Sequence, residues 1–410
     1  STPATRCMKV PILLGQFFRT RICSQNGSLS VSGLPRLQGY RGNAIMFALV
    51  AWAVAATPNV TTPLSNVAAL FADVTSSTAH RYDLKDSAGA QMACVHVYAA
   101  TDPSAFGGDG YFGVYQSFVS SAGITADRGD AAGEFEVRLA SSRDLMTWTF
   151  RRTLVQNADM PFIAREKKSG WLLLAHEQWM NSGSQVPSRL GFKLYYKESD
   201  LAAGVHFNSF IAPLSVGKPT QIEGTPSIYE VTLVNRHGYE MLDAAIGFHF
   251  NNEQGKDQVA AGMLQSFGPT VVDPSLEGQR RVDAYDDAFI AHGAIGNIGQ
   301  RKAGTVQGVH LCVQEGNIGK MPPTVWQDWR VWLYLFAPGE GATPLGASQS
   351  SITQLDVKTH GGSTAFGNPS WEVLPCPSSG ATCLFVSYFL FSEGAAPGEA
   401  GVAAFVQQLP

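Results

Sequence analysis

Acidic, amide and histidine side chains recur in this sequence at the two ends of short apolar runs. Asp159, Glu223, Asn297 and Asn368 each open such a run, at spacings of 64, 74 and 71 positions. Glu177, His249, Glu315 and Glu393 each close the run that follows. Carboxyls and imidazoles in such places can move protons or hold a ligand, and Trp179, directly after His176-Glu177-Gln178, adds a face on which a ring could stack. Each has a structural role that competes with this. Asp159, in Asn157-Ala158-Asp159, suits a turn aspartate accepting backbone N–H groups; Glu223 suits a strand-end cap; His249, between Phe248 and Phe250, suits a hydrogen-bonded core histidine. For Glu177, His249, Glu315 and Glu393, alternation along the strand decides between a site and the packing. His292-Gly293 and His360-Gly361-Gly362 fall in loops just before the openings at Asn297 and Asn368, where binding residues gather.

The elements that must carry these residues form a repeat. Asp159 to Ile163 leads through Lys167-Lys168-Ser169-Gly170 into Trp171 to Ala175, and Glu223 to Tyr229 leads through Arg236-His237-Gly238 into Leu242 to Phe248. A third copy runs from Asn297 to Val309–Val313, and a fourth from Asn368 through Cys376 and Cys383 to Leu390. A less regular first copy pairs His96-Val97-Tyr98 with Gly110 to Gln116, and further strands follow each hairpin. Five units of about four antiparallel strands predict an all-β fold, a five-bladed β-propeller over residues 57–410, because radial repetition leaves only short, protected strand edges. The last unit lacks a fourth strand, which Arg81-Tyr82-Asp83-Leu84 is placed to supply.

Composition narrows the function. Lys+Arg 29 against Asp+Glu 33, with the basic residues scattered, lacks the electrostatic footprint of a nucleic-acid binder. No apolar run is long enough for a mature membrane span. The phosphate loop, the dinucleotide fingerprint, H-E-x-x-H and G-x-S-x-G are all missing, and no cofactor is expected. Six cysteines without paired C-x-x-C and histidine spacing give no expectation of a metal site. Cys376 and Cys383 flank a turn and are either a disulfide or two small buried thiols.

Ser141 to Trp148 (SSRDLMTW) resembles the S-x-D-L-x-x-W strand-turn-strand of five-bladed propeller glycoside hydrolases, the arabinanase, β-xylosidase and invertase-like group of the family 43 type. Glu223-Gly224-Thr225-Pro226 is similar to that group's general-acid motif, and the resemblance spans about residues 90–410. It implies an axial funnel holding a base or nucleophile, a carboxylate that tunes a pKa, and a general acid, with an oligo- or polysaccharide as partner. Glu223 then takes the place of the acid, with Asp159 as its carboxylate partner, and Glu177, Trp179, His249, His292, Asn297, Glu315, His360 and Asn368 as substrate-binding residues. The sequence departs from the group in blade one, where the strand expected to carry a catalytic aspartate opens near His96 and Asp102-Pro103 lies past its end. That departure keeps two other readings open: an inactive carbohydrate- or protein-binding propeller, and a histidine-dependent lyase.

Residues 1–56 are expected to lie outside the propeller core. Met46 to Ala56 (MFALVAWAVAA), after Arg36 and Arg41 and with small residues at its end, reads as a secretory signal segment; a short buried or anchoring helix has a comparable apolar length. The first reading places the protein in the secretory pathway or outside the cell. Asn26 and Asn59 match the glycosylation acceptor pattern.

Overall fold

The structure is a computed structural model that describes residues 64–118, 135–180, 188–216, 222–251, 257–268, 274–281, 298–318, 326–335, 352–377 and 379–410, and the backbone of three N-terminal strands. Met46–Ala56, Asn26, Asn59, His292 and Asn297 lie outside the described residues. Contacts divide the chain into Ser1–Asn59 and Val60–Pro410. In the first unit β1 (Arg6–Leu14), β2 (Gln16–Gln25) and β3 (Ser28–Ser32) form an antiparallel sheet in which Cys7 stands opposite Cys23.

The second unit begins with α1 (Leu64–Ala72) and the short strand β4 (Ala79–Arg81). Five four-stranded antiparallel sheets account for the other described strands, and these are the blades of a propeller. Blade I is β5 (Ala93–Ala99), β6 (Tyr111–Phe118), β7 (Phe135–Ser142) and β8 (Trp148–Gln156). Blade II is β9 (Ala158–Arg165), β10 (Leu172–Trp179), β11 (Ser188–Tyr195) and, after α2 (Glu198–Ala203), β12 (Asn208–Ile211). Blade III is β13 (Glu223–Arg236), β14 (Tyr239–Asn251), β15 (Asp257–Phe267) and β16 (Ser275–Arg281). Blade IV is β17 (Ile298–Val306), β18 (Val309–Asn317), β19 (Trp329–Leu335) and β20 (Ile352–Gln354). Blade V is β21 (Phe366–Pro375), β22 (Thr382–Leu390) and β23 (Gly401–Gln408), and its fourth strand is β4, with Ala404 opposite Arg81. An N-terminal strand thus completes the last blade as expected, but it is Ala79–Arg81, which overlaps the expected Arg81–Leu84 only at Arg81.

Apolar residues buried in the strands stack blade on blade. Phe162, Leu173, Phe192, Leu242, Ile246 and Phe248 join blades II and III, while Val313, Leu333, Trp371, Val386 and Phe405 join IV and V. Phe71 of α1 sits edge-on to Trp371 at 5.3 Å, so the helix caps that seam. The Ser141–Trp148 motif is the β7–β8 turn. Ser142 Oγ accepts Leu145 N–H at 2.9 Å, Asp144 Oδ1 accepts Met146 and Thr147 N–H at 2.9 and 2.6 Å, and buried Trp148 donates its indole N–H to Leu145 O at 3.0 Å. Cys376 and Cys383 form a disulfide across the β21–β22 turn. Among the described residues no helix is long and apolar enough to cross a membrane.

Candidate functional site

The inner strands start alike in space although not in residue type. In β5, β9, β13 and β21 the ladder shifts near the strand start, and one non-glycine residue there has positive φ: Cys94 (52°), Met160 (44°), Thr225 (46°) and Asn368 (49°). A bulge takes an amide out of the ladder, and a buried amide then needs another acceptor. For three of the four, the second strand of the preceding blade provides it. Met160 N–H donates to Gln116 Oε1 at 2.8 Å, Thr225 N–H to Glu177 Oε2 at 2.9 Å, and Asn368 N–H to Glu315 Oε2. Gly224 and Gly367 leave room for these carboxylates, since a Cβ would stand 1.9 Å from Glu177 Oε2 at the first and 2.7 Å from Glu315 Oε2 at the second.

The bulges correct the alignment read from the sequence. The residues preceding the left-handed position are Ala93, Asp159, Gly224 and Gly367, so Glu223 and Asn368 stand one position before and one after the true counterparts of Asp159. A one-residue offset in a strand turns a side chain to the other face. Glu223 shows the consequence. Only 1 % exposed, it accepts Ser215 N–H at 2.8 and 3.0 Å, Ser215 Oγ–H at 2.9 Å and Val216 N–H at 2.5 Å, and so fastens the segment after β12 as a cap.

Asp159 is placed differently. It is 5 % exposed, stands opposite Glu177 across β9 and β10, and its Oδ1 has no hydrogen-bond partner among the described residues. Burial, and then the Glu177 carboxylate, push its carboxyl well above the usual range; the Trp179 indole N–H beside it opposes this without completing a hydrogen bond. Glu177 Oε2 lies 3.7 Å from His249 Nε2, and Thr225 Oγ1 lies 3.1 Å from the same nitrogen. Cys94, whose Sγ is 3.5 Å from Met160 Sδ, has its thiol pushed up by burial and then by the Glu315 and Asp159 carboxylates. Deeper on the same inner strands, Lys302 pairs with Glu372 at 3.0 Å and lies 4.5 Å over the Phe162 ring, against which His96 packs at 4.3 Å. Contact between blades II and IV requires side chains that cross the axis, so this group is the floor beneath Asp159.

Of the residues read from the sequence, Asp159, Glu177, Trp179 and His249 come together. Glu315 accepts the backbone N–H of Asn368 at the joint between blades IV and V. His360 is exposed at the rim of blade V, stacked on His80 at 4.5 Å and 3.1 Å from Tyr82 Oη. Gln116, Cys94 and Thr225 were missed. Proline follows three of the left-handed residues, as Pro161, Pro226 and Pro369, and those prolines mark the true register. Among the described residues no group of three or more His, Cys, Asp or Glu side chains is arranged to hold a metal ion.

No protein-family model matches the chain, and no curated protein matches it in sequence. Solved structures similar to it include a glycoside hydrolase, 10 % identical with a TM-score of 0.47, covering 85 % of this chain and 95 % of that one. A GH43 endo-arabinanase from Bacillus licheniformis is 10 % identical with a TM-score of 0.41, covering 80 % and 97 %. An N-acetylgalactosamine deacetylase from F. plautii, in complex with blood group B trisaccharide, is 11 % identical with a TM-score of 0.44, covering 82 % and 92 %.

Proposed function

We propose that the chain hydrolyses a glycosidic bond of an oligo- or polysaccharide at the Asp159 end of the propeller axis. The observation that carries this is the Asp159–Glu177 pair: one buried carboxyl whose Oδ1 has no hydrogen-bond partner among the described residues, and which burial and a neighbouring carboxylate push well above the usual range, toward the protonated form a proton donor needs. Asp159, rather than Glu223, is then the general acid, because the Glu223 oxygens are occupied by Ser215 and Val216. In the step, Asp159 gives its proton to the glycosidic oxygen as the bond to the anomeric carbon breaks. Glu177 Oε1, without a hydrogen bond to any described residue, faces the positive charge developing there. A water adds to that carbon, passes its proton to His249, and the proton returns to Asp159.

The test is turnover of a panel of aryl glycosides and polysaccharides by the full chain. Asp159→Asn is expected to lose roughly 10²–10⁴-fold in kcat, the usual contribution of a positioned acid, while Glu223→Gln keeps kcat if its fold survives. Full activity in Asp159→Asn would refute the assignment. A second reading has its own observation: blade I carries Ala93 where blade II carries Asp159, so a carbohydrate-binding propeller without turnover remains the competitor, and it wins if the wild type binds glycans but cleaves none. The Cys376–Cys383 disulfide supports a place in the secretory pathway. Protein recovered from that pathway without residues 1–55 would agree, and an intact cytosolic chain would not.

A further inference from the structure

A cavity of about 450 Å³ lies at blade V, lined by Asp83, Gln91, Trp326, Phe389, Phe391 and Glu393 among others. Its size falls within the roughly 300–1,000 Å³ of small-molecule sites. It opens on the same face of the ring as Asp159. Phe389 stands opposite Gly367 on β22 as Glu177 stands opposite Asp159 on β10, and Gly401 begins the next strand. One buried cluster runs from Met160, beside Asp159, through Cys94 to Phe389, Phe391 and Trp326.

Two groups of different chemistry line the cavity, one aromatic and one polar. In the first, Trp326 is stacked on Phe391 at 4.8 Å and on Trp329 at 5.9 Å. Phe389, Phe391 and Trp329 are buried, and Trp326 alone of the four keeps a half-open surface. In the second, Gln91 donates to Asp83 Oδ1 at 3.1 Å and Lys85 pairs with Asp83 Oδ2 at 2.5 Å, which holds the polar groups before any ligand arrives. Gly401, at φ +101°, leaves room for them, since a Cβ there would meet the Gln91 amide at 2.6 Å. Ser392 and Glu393 add a hydroxyl and a carboxylate at the rim.

We infer that this cavity is a second saccharide site, which holds one neutral sugar unit with its C–H face on Trp326 and its hydroxyls on Asp83, Gln91 and Glu393. A flat apolar face joined to an edge of hydroxyls is what a cavity lined by both an aromatic side chain and paired carboxylate and amide groups matches. An anion is disfavoured, because Asp83 neutralises Lys85 and Glu393 adds negative charge. The inference rests on the carbohydrate reading above and extends it, because a site here grips a chain away from the bond being cut.

Titration calorimetry of the full chain with neutral pentose and hexose oligosaccharides, run beside the turnover assay, tests it. Trp326→Ala and the exposed-site variant Glu393→Gln are each expected to weaken binding by about tenfold or more, and Thr149→Ala, at an exposed position of β8, to leave it intact. Turnover with wild-type affinity in both pocket variants would overturn this site and leave the hydrolase reading standing. Binding lost in the pocket variants without any wild-type turnover would uphold the site and remove the hydrolase. A wild type that binds no sugar, or that binds tetramethylammonium in this cavity instead, would overturn the site.

Discussion

Replacing Gly224 by alanine probes the joint between blades II and III and the carboxylate that serves it. Gly224 does not have a left-handed φ, so alanine fits its backbone and the effect isolates one contact. The new methyl would stand 1.9 Å from Glu177 Oε2, and Glu177 must leave Thr225 N–H. A hydrogen bond to a charged group contributes about 1.5–3 kcal/mol. Forcing a methyl into a packed site adds about 1–3 kcal/mol, so Gly224→Ala is expected to cost about 2.5–6 kcal/mol in urea unfolding. Glu177→Ala removes the obstacle, and in that background Gly224→Ala should cost less than about 1 kcal/mol, a coupling of the size seen for contacting residues. Gly110→Ala, with nothing within 4 Å of its Cβ, is the control and should stay within about 0.5 kcal/mol of wild type. Additive costs in the double variant would refute this account of the joint.

The other expectations concern charge and packing. The folded Asp159 carboxyl titrates above its unfolded value of about 3.9, so the folded state holds the proton more tightly and the protein loses stability as pH rises from about 4 through that higher value. Asp159→Asn should therefore match wild type in Tm near pH 3 and exceed it increasingly toward pH 7, and a gap that does not change with pH would contradict the burial argument. Trp148→Ala should cost about 3–5 kcal/mol in chemical denaturation, because a 1 %-exposed ring and its bond to Leu145 O are both lost. The exposed neighbour Thr149→Ala should change little, and equal effects at the two positions would count against the role given to the β7–β8 turn.

The five blades were legible because each hairpin repeats an apolar run bounded by turn residues, and the closing strand because the last unit was visibly one short. The site was harder to read. Asp159, Glu223 and Asn368 look equivalent as polar residues opening a run, but the bulge sets the register, and Cys94, Met160, Thr225 and Asn368 share no side-chain property. A left-handed conformation at a non-glycine residue is held by its surroundings, here Gln116, Glu177 and Glu315 of the neighbouring blades, which lie 53 to 44 positions away for Glu315, Glu177 and Gln116 in sequence. Single-blade reasoning therefore named Asp159, Glu177 and His249 but not what each of them touches. The blade I opening was placed near His96 for the same reason, three positions past Ala93, where the strand begins.

The pairing of β4 with β23 also sets the order in which the molecule can be completed. Arg81 waits for Ala404, and 404 − 81 = 323 positions separate them. Closing a loop of that length costs about 5 kcal/mol of chain entropy, and no local contact can offset that before blade V exists. As the chain is made, blades I to IV can form in turn, while β4 stays an unpaired edge until the last strand emerges. The ring is then locked by its two sequence-distant ends together, so a chain cut short within β23 would lose the outer strand of its last blade as well as the strand that was cut.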